Sequence, residues 1–365
     1  MKIARATLRP FAARLEREVA AGRRAAWRRV GALLVLEDER GTRGVGELSP
    51  LRGFSPDRFR DAWRAARELA GRLAGAELPD ADLGNLLAAA VPEPAALPAS
   101  CAAALETALA DLLARRAGVP LHALLAPGRS RPPRAVPVAA LLPHTSLQEM
   151  VEGAFRAIGR GVRTLKAKLG PGGETVELCA RLEVLRRKVG MDIALRADIN
   201  GAWPLEQAGE LMHMLATSGG PELCEQPVAP PHLASLPDPP LPIAADESLM
   251  YETAREEALE RAPISAVVLK PMTLGGLRAS MDLARRARER GLDVIVSHLH
   301  GGPVAHAMAC ELALALDPPP LPCGLDTGPA LDALGGPPPQ WRAAWIVPVD
   351  RPGLGIDTDR PEAGA

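Results

Sequence analysis

Lysine is scarce in this chain, and its positions point to proton chemistry. Only five of the 43 basic residues are lysine, and three of these, Lys166, Lys168 and Lys270, fall in short apolar segments that read as buried strands. Lysine, unlike arginine, can lose its proton near neutral pH when its surroundings lower its pKa. We therefore expect titratable amines that transfer protons. The alternative is that these lysines are remnants whose ammonium groups reach solvent from strand ends.

Three acids end successive predicted strands, in the order Asp198, Glu225 and Asp246, and Lys270 ends the next one. The carboxyl ends of all strands in a parallel barrel open on one face, where barrel enzymes keep their active sites. Three carboxylates in one pocket repel each other unless a cation neutralises them, and an all-oxygen set suits Mg²⁺, with Mn²⁺ as a substitute. One such acid is commonly a helix N-cap, but three in succession beside lysines favour a metal centre.

The first third of the sequence reads as α+β, with too few strands for a barrel. Residues 30–37 and 44–48 are predicted strands about a turn. A helix is predicted from the Ser55-Pro56 start to about residue 74. A second helix is predicted from residue 101 to 117, with Gly118 as its stop.

After a Pro- and Arg-rich boundary at 126–134, strands and helices alternate with the period of a βα unit, about 20–30 residues. Seven or eight such units favour a parallel barrel over an open sheet. The proline-rich segment 227–242 leaves little room for a full helix. The predicted strands are 136–142, 163–169, 193–198, 221–225, 242–246, 265–270, 292–297 and 321–325.

The predicted organisation is thus an α+β domain over residues 1–130, a barrel domain over 131–330 and a tail over 331–365. The tail contains an apolar segment, Trp345-Ile346-Val347-Pro348. We expect this segment to return to the first domain as an edge strand.

Composition excludes several classes of function. A net charge of −1 gives no electrostatic case for binding nucleic acid or an anionic membrane. No apolar run nears the ~20 residues needed to span a bilayer, and Arg5, Arg9 and Arg14 interrupt any signal-peptide core. The five cysteines lack metal-ligand spacing and fit reduced thiols in a cytoplasmic protein. We therefore expect a small-molecule partner and leave a homo-oligomer open.

The order of these motifs resembles the enolase superfamily, in its muconate-lactonising-like group. The resemblance covers nearly the whole chain, and segments 45–50 and 104–111 are similar to the group's capping domain. It implies a modified TIM barrel, (β/α)7β, with an α+β N-terminal capping domain. Within the group, Glu225-Gln226-Pro227 and the loop at 50–55 are most similar to o-succinylbenzoate synthases. The motifs are Lys-x-Lys at 166–168, Asp-x-Asn at 198–200, Glu-Gln-Pro at 225–227, Asp-Glu-Ser at 246–248 and Leu-Lys-Pro at 269–271.

The resemblance also implies a mechanism. Lys168 is expected to be the base, Lys166 to hold the substrate carboxylate, and the three acids to bind Mg²⁺. The implied reaction is syn-dehydration of a 2-succinyl-6-hydroxycyclohexadiene-1-carboxylate through an enediolate, a step of menaquinone biosynthesis. Lys270 is then a stabilising cation. In the alternative, an N-succinylamino-acid racemase, Lys270 is the second acid/base.

Two further alternatives rank lower. Dipeptide epimerases of the group bind a peptide ammonium with an Asp-x-Asp pattern that residues 325–328 lack. A metal-binding barrel without activity conflicts with the retention of all three lysines and all three acids.

Four residues are candidates for contacting the substrate. Arg52 and Phe54 belong to the loop expected to close over the barrel. Asn200 follows Asp198 by two residues and orients a ligand or forms a turn. His300 stands where relatives commonly carry a Ser/Glu segment, and its alternatives are a pocket-lining role and an acid/base role.

Overall fold

The chain begins with an antiparallel sheet of three strands, in the order β1-β2-β3. The structure, a computed structural model, describes residues 1–21, 24–91, 97–129, 131–143, 146–168, 175–326 and 338–357, without the side chains of 16–27. The long first strand was not predicted, because arginines interrupt its apolar pattern. The strands are β1 (Ile3–Ala21), β2 (Arg24–Asp38) and β3 (Arg43–Leu48).

Helices complete the described part of the first domain and lead to the barrel. The first begins at Phe59, later than predicted, because the Ser55 hydroxyl accepts a hydrogen bond from the Leu51 amide instead of capping the helix. The predicted end of the third helix is confirmed, since Gly118 follows it in the left-handed conformation, with a φ of 69°. The helices are α1 (Phe59–Leu73), α2 (Leu83–Ala90), α3 (Ala99–Ala117) and α4 (Leu121–Leu125).

Strand β3 lies unusually close to helix α3. A Cβ atom added to Gly44 would stand 2.1 Å from the Ala108 carbonyl oxygen, and one added to Gly46 would stand 1.8 Å from that of Ala104. No side chain can occupy such a space, so the two backbones touch only because both positions are glycine.

Eight parallel strands form the barrel, as the sequence predicts. The first seven pair with their neighbours in chain order. The eighth pairs with the first, and a bridge between Ser297 and Gly324 joins it to the seventh. The strands are β4 (Val136–Leu141), β5 (Thr164–Lys168), β6 (Ala194–Asp198), β7 (Leu223–Glu225), β8 (Ile243–Ala245), β9 (Ala266–Leu269), β10 (Asp293–Val296) and β11 (Cys323–Asp326).

Helices cover most of the barrel. Ser146 caps the helix that follows it by accepting a hydrogen bond from the Glu149 amide at 3.2 Å. Only a 3₁₀ helix, Pro230–Ser235, lies between β7 and β8, as the proline content predicts. In the described ranges no helix has the length and apolar character that crossing a bilayer requires. The helices are α5 (Leu147–Gly159), α6 (Thr175–Val189), α7 (Leu205–Thr217), α8 (Glu252–Arg261), α9 (Pro271–Leu274), α10 (Leu277–Glu289) and α11 (Pro303–Ala315).

The tail corrects one expectation. Strands β12 (Trp341–Arg342) and β13 (Trp345–Ile346) pair with each other, and β13 pairs with the start of the barrel strand β4, not with the first domain. On β4, the partners of β13 are Val136 and Pro137. Strands β5 and β11 pair only with later residues of β4, so the start of β4 is left for β13. The tail reaches the first domain only later, where the Leu354 amide donates to Asp111 on α3 at 2.7 Å.

Glu47 on β3 joins the first domain to the barrel. Its carboxylate accepts hydrogen bonds from the amides of Gly302 and Ala305, at 2.7 and 3.0 Å, and from the Ser49 hydroxyl. The two amides belong to the first turn of α11, where a negative charge also complements the helix dipole.

We expect Glu47→Gln to lower the free energy of unfolding by about 2 kcal/mol. Both carboxylate oxygens accept hydrogen bonds from backbone N–H groups. In glutamine one of these oxygens becomes an NH₂ group, which then faces a backbone N–H with no acceptor between them. Urea denaturation measures the change. Glu183→Gln, at an exposed side chain of α6, is the control and should stay within about 0.5 kcal/mol. Parental stability in Glu47→Gln would contradict the anchoring role.

Candidate active site

The predicted lysines and acids converge at the carboxyl ends of the barrel strands. Lys166 and Lys168 stand two apart on β5 and therefore face the same side of the sheet. Lys168 is in register with Asp198 on β6, and Asp198 is in register with Glu225 on β7. Asp246 and Lys270, which directly follow β8 and β9, complete the cluster.

The ammonium groups pair with the acids. The Lys166 Nζ stands 2.9 Å from Asp198 Oδ2 and 2.6 Å from Glu225 Oε1. The Lys270 ammonium pairs with Asp246. Each acid thus has a cationic neighbour, and the side chains of all three are at most 4% exposed.

Electrostatics separate the three lysines into two kinds. Burial lowers the pKa of Lys166 and of Lys270, but their paired carboxylates outweigh it and raise both pKa values. The pKa of Lys168 is lowered by burial and by the ammonium groups of Lys166 and Lys270, against the opposing effect of Asp198. Lys168 is therefore the lysine whose surroundings favour the neutral, basic form.

The acids are suited to a hard cation by their chemistry. As the side chains are placed, no three His, Cys, Asp or Glu groups in the described part of the chain stand close enough to hold a metal ion. Yet Asp246 Oδ1 and the neighbouring Glu247 Oε2 are buried without hydrogen-bond partners. Such oxygens need a donor or a cation, and the all-oxygen set of Asp198, Glu225 and Asp246 has the composition that Mg²⁺ takes.

Gln226 holds the acids in place, a role that the sequence did not reveal. Its side-chain oxygen accepts hydrogen bonds from the amides of Asp246 and Ser248, at 3.0 and 3.1 Å. Its side-chain nitrogen donates to the Ser248 hydroxyl and to the Val228 carbonyl. Only the Glu-Gln-Pro motif marked this residue, because a buried amide has no pattern of its own.

Asn200 contacts acids in this arrangement. Its backbone amide donates to Asp198 Oδ1 at 3.1 Å, and its side-chain amide donates to Glu247 Oε1 at 3.0 Å. Its φ of 49° lies in the left-handed region, which suits asparagine. Asn200 thus orients the acidic cluster, and its predicted contact with a substrate stays a prediction.

The predicted loop from the first domain reaches the pocket. Leu51 and Phe54 line it, and the Phe54 ring centroid lies 4.3 Å from the Lys270 ammonium, a cation–π distance. Arg52, between them, is exposed to solvent. The contact between Arg52 and a substrate therefore also stays a prediction.

Histidines form a further wall of the pocket. His298 and His300 line it beside Leu299. Arg29 was not predicted to belong to the site; it is 2% exposed, and its guanidinium donates to the carbonyls of His300 and Ser49. An arginine in an arginine-rich chain gives no signal, and only the fold brings β2 to the end of β10.

The end of the eighth strand offers a single acid. Asp326 lines the pocket, and its carboxylate accepts a hydrogen bond from the Arg160 guanidinium. Two residues earlier, Gly324 has no side chain to offer. Thr327 and Gly328 lie outside the described residues.

Comparison with known proteins agrees with this architecture. A family model described as "Enolase C-terminal domain-like" matches residues 113–363. The hydrophobic dipeptide epimerase of Roseobacter litoralis is 33% identical over 263 residues, 70% of this chain and 73% of the relative. The o-succinylbenzoate synthase of Thermobifida fusca is 34% identical over 195 residues, 53% of this chain and 59% of the relative. The dipeptide epimerase of Methylococcus capsulatus, crystallised with Mg and the dipeptide L-Arg-D-Lys, superposes with a TM-score of 0.81 at 26% identity, covering 97% of this chain and 99% of that one.

Proposed function

Because this chain belongs to the enolase superfamily, in its muconate-lactonising-like group, we propose that it removes a proton from the carbon next to a substrate carboxylate. Such a proton is weakly acidic, and its removal places a second negative charge on the carboxylate oxygens. A Mg²⁺ ion held by Asp198, Glu225 and Asp246 would supply positive charge where that charge develops.

The observation that carries the proposal is the placement of two lysines on opposite walls. Lys168 enters from β5 and Lys270 from the end of β9, four strands apart in an eight-stranded barrel, and both line one pocket. Lys168 has the lowered pKa and takes the proton as the base. Lys270 keeps its charge beside Asp246 and faces the substrate as a cation.

Within this reaction class we propose the dehydration of a 2-succinyl-6-hydroxycyclohexadiene-1-carboxylate, as in o-succinylbenzoate synthases. Lys168 takes the proton, the C–O bond breaks, and the ring becomes aromatic. In a syn-dehydration the Lys168 ammonium lies on the face of the leaving group and returns the proton to the departing hydroxide, which leaves as water. The similarity to the Thermobifida fusca synthase supports this choice. The eighth strand supports the same choice. Gly324 has no carboxylate, and the carboxylate of Asp326 is already paired with Arg160. A free substrate ammonium would therefore compete with Arg160 for Asp326.

A second candidate is racemisation of an N-succinylamino acid. The relatives of this chain include epimerases, whose names indicate inversion at a carbon atom, and opposed lysines can serve both faces of such a carbon. An N-acyl group carries no ammonium, so this substrate also fits the eighth strand.

We expect the enzyme to turn over the cyclohexadiene acid with a kcat/KM at least about tenfold above that for an N-succinylamino acid. Aromatisation drives the first reaction and is absent from the second. Both substrates, and a dipeptide, are assayed in deuterated water with Mg²⁺. Equal or better kcat/KM for the N-succinylamino acid, with deuterium entering on both faces, would establish the racemase. Preferred turnover of the dipeptide would establish an epimerase.

We expect Asp198→Ala to remove most Mg²⁺ binding and to leave the fold intact, because this acid borders the pocket at a strand end. Calorimetric titration measures the affinity, and circular dichroism reports the fold. Asp282→Ala, on the exposed face of α10, is the control and should bind Mg²⁺ normally. Unchanged affinity in Asp198→Ala would refute the assignment of the metal ligands.

A further inference from the structure

The seventh-strand wall contains imidazole nitrogens without partners. His298 is 8% exposed and lines the pocket, yet neither of its ring nitrogens has a hydrogen-bond partner. The same holds for Nδ1 of His300, the second pocket-lining histidine. Buried polar groups are almost always satisfied in folded proteins, so an unsatisfied pair that borders a cavity indicates a missing ligand.

The ring of His298 and the backbone of His300 are held in place from behind. The His306 ring, on α11, stacks on that of His298 with centroids 4.5 Å apart and planes 13° apart, and His306 Nε2 lies 2.9 Å from the Leu325 carbonyl oxygen. The Arg29 guanidinium binds the His300 carbonyl oxygen at 2.9 Å. A wall fixed in this way loses little conformational freedom when a ligand binds.

The wall is uncharged. Burial, followed by neighbouring histidines for His298 and by Lys168 and Arg29 for His300, holds both pKa values well below the ordinary histidine range. A neutral imidazole offers one N–H donor and one acceptor nitrogen. The pocket is also lined by the apolar side chains of Leu51, Phe54 and Leu299, and among them a neutral imidazole N–H can serve an oxygen acceptor that carries no charge.

We propose that His298 and His300 bind a neutral carbonyl oxygen on the acyl arm of the substrate, while the reacting carboxylate lies at the Lys166 side of the pocket. This proposal rests on the proposed function and specifies its substrate class as an acyl-bearing carboxylate. The oxygen has two sources, the ketone of a succinyl-cyclohexadiene acid and the amide of an N-succinylamino acid. Both present the same acceptor to an N–H donor.

The test compares two ligands that differ only at the carbonyl. o-Succinylbenzoate has a ketone between ring and chain, and 2-(3-carboxypropyl)benzoate has a methylene group there, with both carboxylates kept. We expect calorimetry with Mg²⁺ to give about tenfold tighter binding of the ketone to the parental enzyme, the ratio that one neutral hydrogen bond supplies. In the double variant His298→Phe/His300→Phe the ratio should fall below about twofold. N-Succinyl-L-phenylalanine, the amide source, should lose about tenfold in affinity in the same variant.

Two measurements separate this role from packing. His306→Phe makes the same substitution in the ring behind His298, which does not border the pocket, and should keep the tenfold ratio. His300→Asn keeps an N–H donor at this position and should keep most of the tenfold affinity ratio. Nitrogen-15 spectra of histidine-labelled parental enzyme should move on addition of the ketone and stay in place on addition of the methylene ligand. This readout does not depend on the folding of any variant.

Equal affinity of the parental enzyme for the two ligands, or an unchanged ratio in the double variant, would overturn the proposal and leave the dehydration untouched. Tight, carbonyl-dependent binding without turnover of the cyclohexadiene acid would support the histidine site and refute the dehydration. Failure of every ligand to bind would overturn both.

Discussion

Lys168→Arg is expected to reduce turnover by at least about 10²-fold, the lower range for loss of a general base. Arginine keeps the positive charge and much of the length but does not deprotonate at working pH. The parental lysine can lose its proton more readily, because burial and two neighbouring ammonium groups lower its pKa. The measurement is kcat at saturating Mg²⁺ and substrate.

The pH profile gives an independent check on Lys168. The base must be neutral, so kcat/KM should rise with pH through the pKa of Lys168, on a limb below the ordinary lysine range. Lys188→Arg, the same substitution at an exposed position of α6, is the control and should match the parent. Near-parental turnover in Lys168→Arg would mean that Lys168 only binds the substrate.

Lys270→Arg is expected to separate the two candidate reactions. Racemisation requires Lys270 to deliver a proton, so it should fall by at least about 10²-fold. Dehydration requires only its charge, so it should fall by less than about 10²-fold, provided that the guanidinium fits between Asp246 and Phe54. Both activities are measured on one preparation, with deuterium incorporation resolved by face.

The comparison with Lys168→Arg completes this test, since that variant should lose both reactions. Equal losses of dehydration in the two variants would show that Lys270 transfers a proton in the dehydration as well. The charge-only role would then be wrong.

The barrel and the convergence of its strand-end residues were predictable because both follow local rules. Strand ends carry Asp198, Glu225 and Lys270 at a period set by the βα unit, and that period survives in the sequence. The ion pairs of Lys166 with Asp198 and Glu225 confirm that side chains from neighbouring units meet.

What the sequence did not reveal depends on contacts between distant segments. Arg29 reaches His300 across 271 residues, and Glu47 reaches Gly302 across 255. Neither has a local pattern, since an acid on a strand and an arginine on a hairpin are common surface residues. The strand in the tail was predicted in the wrong domain for the same reason. Its partner, the start of β4 at Val136, is left unpaired only when β5 and β11 have paired with the rest of β4.

The two glycines packed against α3 bear on how this protein can evolve. Gly44 and Gly46 accept no side chain, whereas Leu51 and Phe54, only a few residues later, border the pocket from a loop. Adjacent stretches of the chain are therefore constrained in different ways. Any side chain at 44 or 46 would separate β3 from α3, whereas apolar substitutions at 51 and 54 change the wall of the pocket. Because Leu51 and Phe54 are themselves buried, a library restricted to apolar residues at those two codons should consist mainly of folded proteins that differ in what they bind.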